Sequence, residues 1–236
     1  FTPAGFSEEE SHEPLAIGSP APDFSLPGVD GKTYSLKDFA DAQILALIFT
    51  CNHRPTAQAY ESHIKRLVDE YSPKGVAFVA ISPNDDLAVR LDELGYTDLG
   101  DSFEDMKIRA RDHQFNFPYL YDGETQAIAK LYGPTATPHV FLFDKERKLR
   151  YRGRIDNNER DESKVTERDT QDALNAMLAG QPVATDTTKP FGCSIKWASK
   201  RDSVKDYFAK VDAEEVAVKP IDAAGIKELI ANKTDK

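Results

Sequence analysis

Cys51-Asn52-His53-Arg54-Pro55 brings a thiol, an imidazole and a guanidinium together within a few residues. Pro55 suits the first turn of a helix, where its missing N–H is no loss. A cysteine at a helix start faces unpaired backbone N–H groups and the positive end of the macrodipole. Both favour thiolate and are expected to bring its pKa from about 8.5 toward neutrality. Arg54 and a protonated His53 would push the same way. Thiolate is the form that attacks a disulfide or a peroxide. A small buried hydrophobe closing a strand is the commoner fate of a free cysteine, but the polar neighbours argue against a dry setting. The one other cysteine is Cys193, in Pro190-Phe-Gly-Cys-Ser-Ile-Lys-Trp197. It could resolve an oxidised Cys51 or form a mixed disulfide with another chain. It could equally be a packing residue that anchors the C-terminal segment, with Trp197 as its clamp. Pairing in cis requires Cα atoms closer than about 7 Å.

The elements around Cys51 indicate how it is positioned. Gln43 to Thr50 is too continuously apolar for a strand with one wet face, so it reads as a central strand covered on both sides. Pro55 to about Tyr71 has helical periodicity through Ile64, Leu67 and Val68. Gly75 to Ser82 reads as a second buried strand. Residues 83–115 read as a polar, helix-rich insertion on one face. Phe117 to Tyr121 is expected to be a short strand and Thr125 to Tyr132 a helix. Val140 to Phe143 and Leu149 to Ile155 read as an antiparallel pair, and Thr166 to Leu178 as an amphipathic helix ending at Gly180. This alternation predicts an α/β layered domain. Residues 1–15 are expected to be a flexible tail and 16–197 the folded domain. Residues 198–236 would form a C-terminal appendage, with helices at Arg201 to Val211 and Asp222 to Ala231 around a β-like Glu215 to Val218. That last helix could also lead into a second domain of a longer protein.

Composition narrows the function classes. The chain has 236 residues, 40% of them hydrophobic, which is ample for a core without disulfide staples. Forty acidic against thirty basic side chains give a net charge of −10, a surface that repels phosphate backbones and excludes nucleic-acid binding. No apolar run approaches the roughly 20 residues of a membrane span. The first residue, Phe1, suggests trimming, and export to a periplasmic or other extracytoplasmic space is the expectation.

Gly18-Ser-Pro-Ala-Pro-Asp-Phe-Ser-Leu-Pro27 followed by Gly31-Lys-Thr-Tyr-Ser-Leu-Lys-Asp-Phe39 resembles the opening hairpin of the redoxin branch of the thioredoxin-fold superfamily, which includes the alkyl hydroperoxide reductase/thiol-specific antioxidant (AhpC/TSA) relatives. The strand into Cys51 is similar to the one that delivers the first cysteine of Cys-x-x-Cys. Thr135-Ala-Thr-Pro138 resembles the family's Thr-Pro segment, whose cis-proline faces that cysteine and helps bind extended peptides. A late Gly-Cys-x-Ile-Lys-Trp element like the one at Cys193 occurs in related redoxin-like proteins. The resemblance covers about residues 16–180. It implies a thioredoxin-like fold, a central mixed sheet flanked by helices with a hairpin at the N-terminus and a helical C-terminal appendage. It also implies a thiol-dependent antioxidant or disulfide oxidoreductase that needs no organic cofactor. Its partners would be a protein or small-molecule thiol or disulfide, or a peroxide.

On that resemblance the catalytic set is Cys51, His53, Arg54 and Cys193, with Thr137 and Pro138 shaping the docking surface. The chain departs from the family pattern in several places. Arg54 replaces the second Cys-x-x-Cys cysteine, so dithiol cycling within one loop is excluded. Leu45 stands where many thioredoxins keep a buried aspartate, and Thr50 where they keep tryptophan. Ile44 and Ile48 occupy the proline and threonine places of the peroxiredoxin motif Pro-x-x-x-Thr-x-x-Cys, which weakens the peroxidase alternative. A Cu(I)- or Zn²⁺-binding redoxin, using Cys51, His53 and His139, is another alternative, by analogy with copper-delivery proteins on this fold. A redox-silent interaction module is a third. His12, His63 and His113 have no spacing partners and are expected at the surface, and Asp156 to Glu162 reads as a solvated loop without the glycine of a Ca²⁺ site. Phe115, Phe117, Tyr119 and Tyr121 alternate as one packed face.

Overall fold

Successive residues of the central strand supply two different cores, which is why its sequence has no polar face. The computed structural model describes residues 11–95, 97, 99–123, 125–214 and 221–231. In β3 (Ile44–Phe49), Ile44, Ala46 and Ile48 pack with Ile64, Leu67, Val68, Tyr71 and Leu174 on one side of the sheet. Leu45, Leu47 and Phe49 pack with Phe24, Phe39, Ile128, Tyr132 and Trp197 on the other. Alternation with period 2 and apolar residues at every position require two covered faces.

The chain opens with an antiparallel hairpin, β1 (Ser25–Pro27) and β2 (Thr33–Ser35). After β3 come two helices, α1 (Pro55–Ala59) and α2 (Glu61–Tyr71), then β4 (Val76–Ser82). The expected single helix from Pro55 to Tyr71 is therefore two, separated at Tyr60. Next are α3 (Phe103–Asp112), β5 (Tyr119–Tyr121), α4 (Ala127–Tyr132), β6 (His139–Phe143), β7 (Leu149–Gly153) and α5 (Asp169–Leu178). The sheet order is β5-β4-β3-β6-β7, with β3, β4 and β5 parallel and β6 antiparallel to both its neighbours. This is the thioredoxin-like mixed sheet flanked by helices, with an N-terminal hairpin and C-terminal helices α6 (Arg201–Ala213) and α7 (Ala223–Ala231). The β-like Glu215 to Val218 lies outside the described residues.

Three expectations change here. Among the described residues of 83–102 there is no α-helix: they form two short 3₁₀ turns and irregular chain before α3, and Asn84, Gly100 and Asp101 fold against the turn after Cys51 instead of standing off it. His63 is not at the surface. It is buried, and its Nδ1 lies 2.6 Å from Asp156 Oδ2, so Asp156 is not in a solvated loop either. A buried ionisable group must find a partner, and each supplies the other's. Phe115, Phe117, Tyr119 and Tyr121 do share one packed face, in the core beneath α2 and α3.

Candidate active site

Cys51 sits just past the end of β3, where the backbone leaves the sheet before α1. It is 3% exposed. Its Sγ lies 3.2 Å from Thr137 Oγ1, and the Thr137–Pro138 peptide bond is cis, at the start of β6. The strand–helix junction and the Thr-Pro segment are thus brought together as the resemblance implied.

The electrostatics differ from the expectation. Burial raises the Cys51 pKa far above the ordinary thiol value, and the Asp101 charge raises it further. The Thr137 hydroxyl, the Arg54 backbone N–H and the Arg54 charge oppose this and lose. The balance favours the thiol, opposite to the thiolate expected at a helix start. Asp101 is held there by the amides of Asn52 and His53, just before α1, which donate to its Oδ1 at 2.8 and 3.1 Å. Helix α1 is only five residues long, which limits its dipole. The Arg54 guanidinium is bound at 3.0 Å to Glu93.

Asp101 organises this region although nothing in its sequence surroundings marked it. It precedes Ser102, the N-cap of α3, and is fully buried. Its Oδ2 receives His53 Nδ1 at 2.5 Å and Asn84 Nδ2 at 2.7 Å. Burial works to raise its carboxyl, but the bonds from His53, Asn84 and the Asn52 amide outweigh this and hold it below the usual carboxylate range. His53 is likewise fully buried rather than a loop residue in solvent. Asn52 donates to the Gly100 carbonyl and accepts from the Tyr119 hydroxyl at 3.2 Å, which fixes the turn after Cys51.

Cys193 reaches the site from the far end of the chain. Thr137 N–H donates to the Cys193 carbonyl at 3.0 Å, and Cys193 N–H to the Thr137 carbonyl at 3.4 Å. In such an antiparallel pair the two Cα atoms are about 5.5 Å apart and both side chains stand on one face. Thr137 points its hydroxyl at Cys51, so one threonine contacts both cysteine segments. Cys193 is half-exposed, and neither cysteine is in a disulfide. The segment is pinned further on: Lys196 N–H donates to Asn84 Oδ1, its carbonyl accepts from Asp85 N–H, and its ammonium pairs with Glu93. Burial raises the Glu93 carboxyl, but the bond from Lys196, the Arg90 amide and the charges of Lys196 and Arg54 together hold it at about 2. Asn84, Glu93 and Lys196 were not legible as site residues, because each is defined only by a partner distant in sequence.

The alternative metal set is not assembled. His139 is buried, its Nδ1 accepts from Thr135 N–H at 3.2 Å, and burial with the nearby Arg152 charge depresses its pKa to about 3. The group that does converge is Cys51, His53 and Asp101, with their donor atoms within 4.8 Å of one another. Each Asp101 oxygen already accepts two hydrogen bonds, which leaves one sulfur and one imidazole, too few for Zn²⁺.

The AhpC/TSA family model matches residues 17–152. A solved structure of an uncharacterized conserved protein from Geobacillus kaustophilus is 38% identical, covering 82% of this chain and 98% of that one, with a TM-score of 0.69. A hypothetical protein from Sinorhizobium meliloti 1021 is 32% identical over 81% of this chain and 100% of its own, with a TM-score of 0.70. The thiol-disulfide oxidoreductase ResA of Bacillus cereus is 28% identical over 145 residues, 61% of this chain and 71% of that protein. No described helix is long and apolar enough to cross a membrane.

Proposed function

The chain belongs to the AhpC/TSA family, and from that premise we propose that it is a thiol–disulfide oxidoreductase whose working couple is Cys51 and Cys193. One observation carries this reading. Thr137 touches Cys51 through its hydroxyl and Cys193 through both main-chain groups. In the redoxin family the backbone beside the cis-proline binds extended peptide substrates. Here the chain's own Cys193 segment occupies that backbone, so the thiol that a peptide would present is supplied in cis. That arrangement compensates for Arg54, which removes the neighbouring thiol.

The reaction is a two-electron exchange. The sulfur of Cys51 attacks a substrate disulfide and forms a mixed disulfide, releasing one substrate thiol. Cys193 then attacks the Cys51 sulfur of that bond, the second substrate thiol leaves, and a Cys51–Cys193 disulfide remains. The substrate is reduced to two thiols and the protein dithiol is oxidised by the same electron pair. A dithiol reductant resets it.

Insulin-disulfide reduction with wild-type protein, Cys51→Ser and Cys193→Ser tests the proposal. Loss of turnover in both variants is expected, as is an internal disulfide in wild-type protein after mild oxidation. If Cys51→Ser keeps wild-type turnover, the proposal is wrong. Peroxide consumption dependent on Cys51 but not Cys193 would favour a peroxidase instead, and tight Cu(I) uptake dependent on Cys51 a metal-binding role.

A further inference from the structure

Resting on the reading of Cys51 as the attacking sulfur, we infer that His53 and Asp101 form an acid–base pair that removes and returns the Cys51 proton. A buried thiol needs a group to take its proton before it can attack, and the place of the family's buried aspartate is Leu45, inside the core. The His53–Asp101 pair lies beside the cysteine instead, where the loop before α3 brings Asp101 to the turn after Cys51.

Three observations support the assignment. Asp101 is a carboxylate, so at 2.5 Å it accepts and His53 Nδ1 carries the donated proton. Nε2 of His53 then presents a lone pair, and it has no hydrogen-bond partner among the described residues. A buried imidazolium would instead leave an unpartnered charged N–H there, the costlier arrangement. Finally, one ring nitrogen of His53 lies within 4.8 Å of the Cys51 sulfur, so the imidazole borders the thiol whose proton it would take. A structural role for the pair would explain the Nδ1–Asp101 bond but not a fully buried, unpaired Nε2.

In the step itself the S–H bond of Cys51 breaks as its sulfur bonds to a substrate sulfur, and the proton passes to His53 Nε2. The substrate S–S bond breaks, and the departing thiolate takes that proton back. His53 keeps its Nδ1 proton throughout, and the Asp101 carboxylate accepts that N–H and offsets the transient imidazolium charge, as a positioning residue. The other titratable groups around the pair are Cys51 itself, Arg54 at the start of α1 and Tyr119 on β5, which burial holds protonated. Glu93 and Lys196 lie behind Arg54.

The test is the single-turnover reaction of the reduced protein with oxidised glutathione, followed against pH for wild type, Cys51→Ser, His53→Gln and Asp101→Asn. General-base loss should slow His53→Gln by about 10²-fold near neutrality. The deficit should shrink as pH rises, because hydroxide replaces the missing base. A uniform loss at every pH, or no loss, overturns the inference. If Cys51→Ser is inactive while His53→Gln matches wild type, only the acid–base role falls; if Cys51→Ser is active, the functional reading falls with it. Should either substitution unfold the chain, ¹⁵N NMR of wild-type His53 decides: bare Nε2 with protonated Nδ1 is expected, and a protonated Nε2 in the reduced resting protein refutes the assignment.

Discussion

Thr137 and Cys193 are paired through both main-chain groups, at 3.0 and 3.4 Å, and the same threonine places its hydroxyl 3.2 Å from Cys51. A residue that contacts one cysteine by side chain and the other by backbone fixes their relative position more tightly than either contact alone. The pairing depends on a close approach that only glycine allows. A Cβ on Gly192 would fall 2.1 Å from the Thr137 carbonyl oxygen and 2.5 Å from its carbon.

Gly192→Ala should therefore push the Cys193 segment off Thr137, since the atoms it meets are backbone and cannot rotate away. The expected cost is about 1–3 kcal/mol of stability by overpacking. The sharper consequence is a fall in the yield of internal Cys51–Cys193 disulfide under a fixed oxidant. Alkylation of remaining thiols followed by mass spectrometry measures that yield. A wild-type yield in a folded Gly192→Ala protein would show that the Thr137 pairing does not position Cys193.

Glu93 ties the Cys193 segment to the loop after β4 and should make that attachment acid-sensitive. Its carboxyl is held at about 2, below the ordinary value of 4.5 that the unfolded chain has. With the folded value depressed, the stabilisation is fully present above 4.5 and is lost as pH falls toward 2. Over that window wild-type protein should lose about 2–3 kcal/mol on account of this group. Glu93→Gln should be less stable than wild type at neutral pH and should show a flatter acid limb. Urea unfolding on either side of the window checks this, and parallel curves for the two proteins would refute it.

Much of the framework was legible before any coordinates. β3 was readable because both of its faces are apolar, and the hairpin and Thr137-Pro138 because their residues restrict the backbone locally. Cys51 was legible by its place between a buried strand and a proline-started helix. Its ionisation was not, because the dipole argument leaves out the burial of the sulfur and the charge of Asp101, which only the fold brings to it. Asp101 and Asn84 escaped for the same reason as Glu93 and Lys196: a polar residue in an irregular loop looks solvated until the fold provides its partner. The His63–Asp156 pair shows this most plainly, since each residue alone looks like a surface group.

That pair supports a stability prediction separate from catalysis. His63 on α2 meets Asp156 in the loop after β7 at 2.6 Å, and the Tyr60 hydroxyl donates to the Asp156 carbonyl at 2.9 Å. Asp156→Ala leaves the His63 imidazole buried without its acceptor, which should cost about 2–4 kcal/mol. By contrast, removing the exposed His113 from its 2.9 Å contact with Glu61 should cost about 1 kcal/mol or less. Replacing both buried partners by apolar groups, as in His63→Phe with Asp156→Leu, should recover much of the loss, because no orphaned polar atom remains. Denaturant unfolding of the single and double variants measures the coupling. Strictly additive losses would mean that the two side chains do not act as a pair.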